Sequence, residues 1–363
     1  MKPQPEGPRL KILVIRRDNI GDLVCTTPIF RALRTQHPSA EICALVNSYN
    51  AAVLQNNADI DEIFAYTKAK HRPAGAGALG VYWERVKLLV HLRRKRFDYV
   101  ILAGTSFLPK ALRLARWVDP KHIIGFTEAE RRGTHDIDMG VPNEVPHPMH
   151  HVENVFRLLR PLGVEGPPPP MRMVPSAADV ARAREKLAAV RLTETTRVIA
   201  IHISTRKPSQ RWPAERFIKL IKTLHERYDA AFCLFWAPGD ATNVHHPGDD
   251  EKAKAILAHL EGLPIVGCPT ENLHQLIGGL AATDMMICSD GGAMHIGAAL
   301  GLPIVCFFGQ SDARHWYPWG VSHELLQPQT HDVMDIPVFD AFEAFARLCD
   351  KGGMPPKNVT GPM

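Results

Sequence analysis

Short apolar runs alternate with longer amphipathic segments along nearly the whole chain. In the first half, apolar stretches at residues 11–15, 41–46, 62–66, 99–103 and 123–126 read as strands. Runs without strict polar alternation suit strands buried on both faces of a parallel sheet. Between them, residues 22–35, 50–56, 81–96, 109–117 and 151–162 carry helix patterning. On the helix at 81–96, Trp83, Val86, Leu89, Val90 and Leu92 fall on or near one apolar side. Gly166 and the four prolines at 167–170 then break the pattern. Consecutive prolines cannot continue a helix or lie inside a sheet, so they form a stiff extended connector. A domain boundary is expected here, with one domain over 1–166 and a second over 171–338. Alternation resumes with strands at 198–203, 231–236, 265–266, 285–288 and 303–308. Helices are expected at 214–228, 250–260, 273–281 and 339–348. Repeated strand–helix–strand units predict an α/β chain of two domains with parallel sheets.

Composition narrows the class. A length of 363 residues, 45% hydrophobic and 22% charged, suits a soluble globular protein of two domains. No apolar run approaches a membrane span, and the N-terminus has no h-region of signal-peptide type. The seven cysteines are scattered and form no Cys-x-x-Cys pair, which fits buried thiols in a reducing cytoplasm. The net charge of +5 is uneven. Residues 1–165 hold 24 Lys+Arg against 17 Asp+Glu, and the remainder holds 19 against 21. The clusters are Arg93 to Arg96, Lys110/Arg113/Arg116 and Lys68/Lys70/Arg72. Such a half can meet nucleic acid, anionic lipid or a phosphorylated substrate, although solvated helix faces explain any one cluster equally well. No aromatic-interleaved basic motif favours nucleic acid.

The most informative stretch is 284–309, where an apolar run ends in Ser289-Asp290-Gly291-Gly292 before a small-residue helix and a second apolar run. Open α/β sheets bind ligands at the carboxyl ends of their strands. Glycines let a phosphate approach the backbone, and the next helix offers unpaired N–H groups. Asp290, Gly291, Gly292 and His295 are therefore candidate ligand residues, with helix packing the plainer reading of His295. After the first strand, Arg16 to Asp22 is neither a dinucleotide fingerprint nor a P-loop. Asp22 reads first as a helix cap. As a carboxylate held ionised at a helix start, it also suits a general base.

Residues 202–207, then Gln210-Arg211-Trp212-Pro213, supply hydroxyls and cations suited to a diphosphate. Ser204, Thr205, Lys207 and Arg211 are the candidates, with an ordinary polar turn as the alternative. Trp236 ends another apolar run and suits a flat base, although core aromatics are commoner. Asp249, Asp250 and Glu251 open the next helix, where one can take a ribose diol. The pairs His150-His151 and His245-His246 lack metal-ligand helical spacing, and no Asp-x-Asp closes an apolar strand. No metal and no cofactor is expected.

Three blocks in order, LKILVIRRDNIGDLVCTTPIFRALRTQHPSAEI, HISTRKPSQRWPAERF and SDGGAMHIGAALGLPIVCFFGQSD, resemble glycosyltransferase family 9, the ADP-heptose:lipopolysaccharide heptosyltransferases. The likeness runs from about Lys11 to Trp319, with little signal over 68–144. It implies a GT-B fold, two Rossmann-like domains facing a cleft, with the last helix (339–350) crossing back to the first domain. It implies an inverting, metal-independent transfer of heptose from ADP-heptose to a lipid A–Kdo or heptosyl acceptor. Asp22 would be the base; Ser204 and Thr205 would bind phosphate; Asp290, Gly291 and Gly292 would bind donor sugar and diphosphate, with His295 nearby. The enzyme would be cytoplasmic, touching the inner membrane through its basic first half. Two positions depart from the family: Gln210 stands where a lysine is common, leaving Lys207 or Arg211 to supply charge, and Gly291 stands where threonine is common. Another nucleotide-sugar transferase or epimerase, or a non-catalytic sugar-nucleotide binder, is the alternative.

Overall fold

The computed structural model describes residues 9–66, 78–128, 131–145, 148–190, 192–243 and 247–352. The Lys68/Lys70/Arg72 cluster, the His245-His246 pair and the tail from 353 lie outside them. The chain divides into two compact units, Met1–Met173 and Val174–Met363.

In unit 1 the elements run β1 (Lys11–Ile15), α1 (Ile20–Val24), α2 (Thr27–Gln36), β2 (Glu41–Asn47) and β3 (Glu62–Tyr66). They continue with α3 (Ala78–Lys95), β4 (Tyr99–Leu102), α4 (Pro109–Val118), β5 (His122–Thr127), β6 (Met139–Pro142) and α5 (His151–Phe156). Unit 2 has α6 (Ala177–Leu187), β7 (Arg197–His202), α7 (Ala214–Arg227), β8 (Ala230–Trp236), α8 (Asp250–His259) and β9 (Ile265–Pro269). It ends with α9 (Leu273–Leu280), β10 (Met285–Ser289), α10 (Gly292–Ala299), β11 (Ile304–Phe307), α11 (Ala313–Trp316), β12 (His323–Leu326) and α12 (Val338–Gly352).

Each unit holds one six-stranded parallel sheet. The orders are β3-β2-β1-β4-β5-β6 and β9-β8-β7-β10-β11-β12. Counted within each unit, both are the doubly wound order of a Rossmann-like fold. In each, strand order reverses once, between β1 and β4 and between β7 and β10. Loops leaving the carboxyl ends of those strand pairs diverge, and a ligand fits where they part.

The central strands are apolar because helices cover both faces. One side of sheet 1 is sealed by Leu13, Ile15, Leu45, Val100 and Leu102 against Leu92, Leu112, Ala115 and Val118 of α3 and α4. In unit 2, Ile199, Ile201, Phe232 and Leu234 meet Phe217, Leu220 and Leu224 of α7.

The structure departs from expectation in particular places. The helix expected at 22–35 is two, because Pro28 has no N–H and its ring clashes with a continuing turn. Residues Ser48–Leu54 form 3₁₀ turns. Edge strands β6 and β12 and helix α6 were not legible, being short or weakly patterned. On α3, Trp83 and Val90 face solvent, while Leu88, Leu89 and Leu92 meet the core. The last helix, expected to return to the first domain, packs within unit 2. Ala341, Ala344, Phe345 and Leu348 of α12 join that unit's core, with the Phe345 ring 5.3 Å from Tyr228. Phe345→Ala is expected to destabilise the protein by about 3–5 kcal/mol. Urea unfolding checks this; an unchanged midpoint would mean α12 contributes no core.

Candidate functional site

In unit 1 the loop after β1 begins with Arg16, only 2% exposed. A buried guanidinium needs partners for its donors. Its Nη1 donates to the Ala103 carbonyl at 2.5 Å, across the β1/β4 switch point. Its Nη2 donates to Asp22 Oδ1 at 2.8 Å, and its Nε lies 3.3 Å from Asp18 Oδ2. Nη2 also lies 3.1 Å from His151 Nε2. Arginine can only donate, so in this hydrogen bond His151 Nε2 is the acceptor. No hydrogen then lies between His151 Nε2 and Asp22 Oδ1, 3.5 Å apart.

The other oxygen of Asp22 accepts from the Asn19 N–H at 3.0 Å and from Asn19 Nδ2 at 3.1 Å. Asp22 is the third residue of α1, so Oδ2 closes the helix start while Oδ1 holds the arginine. The cap reading and the base reading describe two ends of one carboxylate.

Beside this loop, Arg17 and Arg85 stack on Tyr66, their guanidinium carbons 4.2 and 4.8 Å from the ring centre. Burial lowers the Arg17 pKa; Tyr66 and Asp18 oppose the shift, and Arg85 and Arg113 add to it. Cations thus gather at the carboxyl edge of sheet 1.

In unit 2 the loop after β7 carries Ser204, whose Oγ accepts from the Ala237 N–H at 2.9 Å. Thr205 Oγ1 donates to the Lys207 carbonyl at 3.2 Å, a turn contact. Arg211 Nε donates to the Thr205 carbonyl at 3.1 Å and braces the turn from beneath. Its Nη1 lies 3.9 Å from Asp249 Oδ1. Arg211 Nη2 and Asp249 Oδ2 have no hydrogen-bond partner among the described residues. Deeper still, Lys252 Nζ donates to the Ile203 carbonyl at 3.3 Å. Burial lowers the Lys252 pKa to about 8, opposed by Asp249 and reinforced by Arg211. Burial, with Lys252 adjacent, takes His202 down to about 4, so it is neutral at pH 7.

The switch point of unit 2 is bridged by Gln210. Its Nε2 donates to Asp290 Oδ2 at 2.6 Å and to Ser311 Oγ at 3.0 Å. Lys207 Nζ reaches the same Ser311 Oγ at 3.1 Å. Lys207, not Arg211, brings positive charge to the Gln210–Asp290 contact. Gly291 precedes α10 in extended backbone, and Gly292 is its first residue. A Cβ on Gly291 meets nothing within 4 Å, so the turn does not require glycine there. Gly309 is different, because its Cβ would come 2.2 Å from the Ser209 carbonyl oxygen, inside the turn that carries Gln210.

Two candidates take other places. Trp236 is a core side chain, 9% exposed, with Nε1 donating to Asp250 Oδ1 at 2.7 Å. It offers no open ring face for a base. Buried His295 sits edge-on to Trp316 with ring centres 5.7 Å apart. The Asp-x-Asp sequences at 59–61 and 136–138 lead into β3 and β6, at the opposite sheet edge from Asp22. Arg31, Arg34 and Arg116 and the Ile123 N–H engage them. One cluster with metal-ligand spacing, Glu41, Cys43 and Glu62, has both carboxylates bonded to Lys95.

The model of glycosyltransferase family 9 (heptosyltransferase) matches residues 85–335. The chain belongs to this family. Lipopolysaccharide heptosyltransferase 3 of Escherichia coli K12 is 24% identical over 303 residues, 82% of each chain. A family 9 glycosyl transferase structure from Veillonella parvula superposes with TM-score 0.78 at 20% identity, covering 94% of this chain and 97% of that one. The E. coli ADP-heptose LPS heptosyltransferase II structure superposes with TM-score 0.72 at 22% identity, covering 95% and 100%. These likenesses make the architecture that of GT-B glycosyltransferases.

Sequence reasoning missed Arg16, His151, Tyr66, Lys252 and Ser311. His151 was weighed only as half of an adjacent-histidine metal pair. In fact His150 Nδ1 caps α5, accepting from the Val152 N–H at 3.1 Å, while His151 turns to Arg16. The two glycines make opposite predictions. Gly291→Thr is expected to leave the melting temperature unchanged and nucleotide affinity within about twofold, since it adds atoms to open space. Gly309→Ala displaces the 208–210 turn and costs about 1–3 kcal/mol by overpacking. Thermal denaturation and nucleotide titration of both variants check the pair.

Proposed function

We propose that the protein transfers heptose from ADP-heptose to the lipid A–Kdo inner core, or to a heptose already on it, with inversion at the anomeric carbon. The single observation behind this reading is the Asp22 carboxylate, ionically held by buried Arg16 at the β1/β4 switch point. Unit 1 would carry the acceptor and unit 2 the donor. The acceptor hydroxyl gives its proton to Asp22 as its oxygen bonds to the anomeric carbon. The bond from that carbon to the diphosphate oxygen breaks, and ADP leaves with the electron pair. Lys207, the Ser204 and Thr205 hydroxyls and the N–H groups at the start of α10 meet the charge that develops. Arg211 Nη2 and Asp249 Oδ2 suit a phosphate oxygen and a ribose hydroxyl respectively. These groups supply the stabilisation without a metal. The cations around Tyr66 suit an acceptor bearing carboxylate or phosphate. The cytoplasm, at the face of the inner membrane, is the proposed location.

Asp22→Asn keeps the shape but not the base. Transfer is expected to fall by about 10²–10⁴-fold, with ADP affinity unchanged by calorimetry. Survival of transfer would reduce Asp22 to a helix cap. For the donor, a thermal-shift series with ADP, UDP, GDP and CMP is expected to show stabilisation by ADP; stabilisation by UDP alone would overturn the heptose assignment.

A further inference from the structure

Helices α3 and α4 lie side by side on one face of sheet 1, their inner sides in one core. An Arg93–Asp119 ion pair at 2.8 Å joins their carboxyl ends. Their outer faces form one surface. On α3 the exposed residues include Trp83, Lys87, Val90 and Arg94, spaced to share a helix face, with Arg93 on the flank. On α4 they are Lys110, Arg113, Arg116 and Trp117. Trp83 is 59% exposed and Trp117 61%, although tryptophan carries a large apolar surface. Trp83, Val90 and Trp117 thus bring three of the chain's large exposed hydrophobic side chains to one layer.

Cations outnumber acids on this layer, although Glu84 and Asp119 are exposed within it. Among the described residues, Lys87 is paired with Glu84, Arg93 with Asp119 and Arg116 with Asp136. Arg94, Lys110 and Arg113 carry no ion pair among the described residues. Exposed tryptophans set among unpaired cations match the boundary of an anionic bilayer, where indole rings lie at headgroup depth and Lys/Arg meet lipid phosphates. No described helix is long and apolar enough to cross a membrane, so this contact is with its surface.

We propose that the outer face of α3 and α4 docks on an anionic lipid surface, with Trp83 and Trp117 entering the headgroup layer and Arg94, Lys110 and Arg113 meeting phosphates. This rests on the lipid-acceptor reading only for its biological use. The surface is tested without turnover.

The full chain is sedimented with vesicles of phosphatidylethanolamine and phosphatidylglycerol, and with phosphatidylcholine alone. Binding is expected to the anionic vesicles only and to weaken with salt. Lipids brominated near the headgroup are expected to quench tryptophan fluorescence, and Trp83→Phe/Trp117→Phe to remove that quenching. Arg94→Glu/Lys110→Glu/Arg113→Glu is expected to lower vesicle affinity roughly tenfold or more. Transfer to a water-soluble deacylated acceptor is expected to be unchanged in both variants, at an unchanged melting temperature. Equal binding to neutral vesicles, or quenching retained without the two tryptophans, overturns the proposal. So does a dimer in light scattering that the charge reversals dissolve, which assigns the face to a second copy. Loss of vesicle binding with soluble transfer intact is the expected pattern. Vesicle binding with no transfer by the unsubstituted chain sinks the transferase reading and leaves the docking surface standing.

Discussion

Reversal of strand order at one point in each sheet governs where everything else can be. At β1/β4 and at β7/β10 the chain must leave the strands in opposite directions. The carboxyl ends there cannot be covered by a crossover helix, and a polar gap opens. Each gap is spanned by one buried side chain. Arg16 ties the loop after β1 to the Ala103 carbonyl beyond β4 and to Asp22. Gln210 ties the loop after β7 to Asp290 after β10. The unit 1 bridge is ionic and the unit 2 bridge is neutral.

That difference has an electrostatic consequence. A buried guanidinium is costly without partners, and removing one partner of such a pair costs several kcal/mol. Arg16 is held by the Asp22 carboxylate and by His151 Nε2, which accepts from the guanidinium. In unit 2, Gln210 brings no charge to Asp290, and Lys207 reaches the same Ser311 Oγ that Gln210 contacts. Burial makes Lys252 easier to deprotonate than usual and keeps His202 neutral. Lys207 is exposed at the rim of the unit 2 loops, while Arg211 braces the turn and Lys252 lies deeper.

Strands were readable because both faces of each are buried, so apolar runs such as residues 231–236 need no alternation to stand out. Asp290 stands out in the sequence because it follows such a run directly, and Asp22 because it lies in the first turn of the helix after β1. The break at Pro28 was less so, since a proline two residues into a helix and one inside a longer helix look alike in a linear pattern. Trp236 shows a related ambiguity. A bulky aromatic at a strand end can cap a ligand site or close the core, and only its contact with Asp250 and its burial decide.

The order of residues alone determined the α/β class and the alternation of short buried strands with helices. These depend on local periodicity and on residues with few conformations. Tertiary structure decided the partners. His151 lies 135 residues from Arg16, and Ser311 lies 104 residues from Lys207. It also turned Trp83 and Trp117 outward and folded α12 into the second core. Which face of a helix is buried depends on what packs beside it, and a periodic pattern marks the faces without saying which neighbour each will meet.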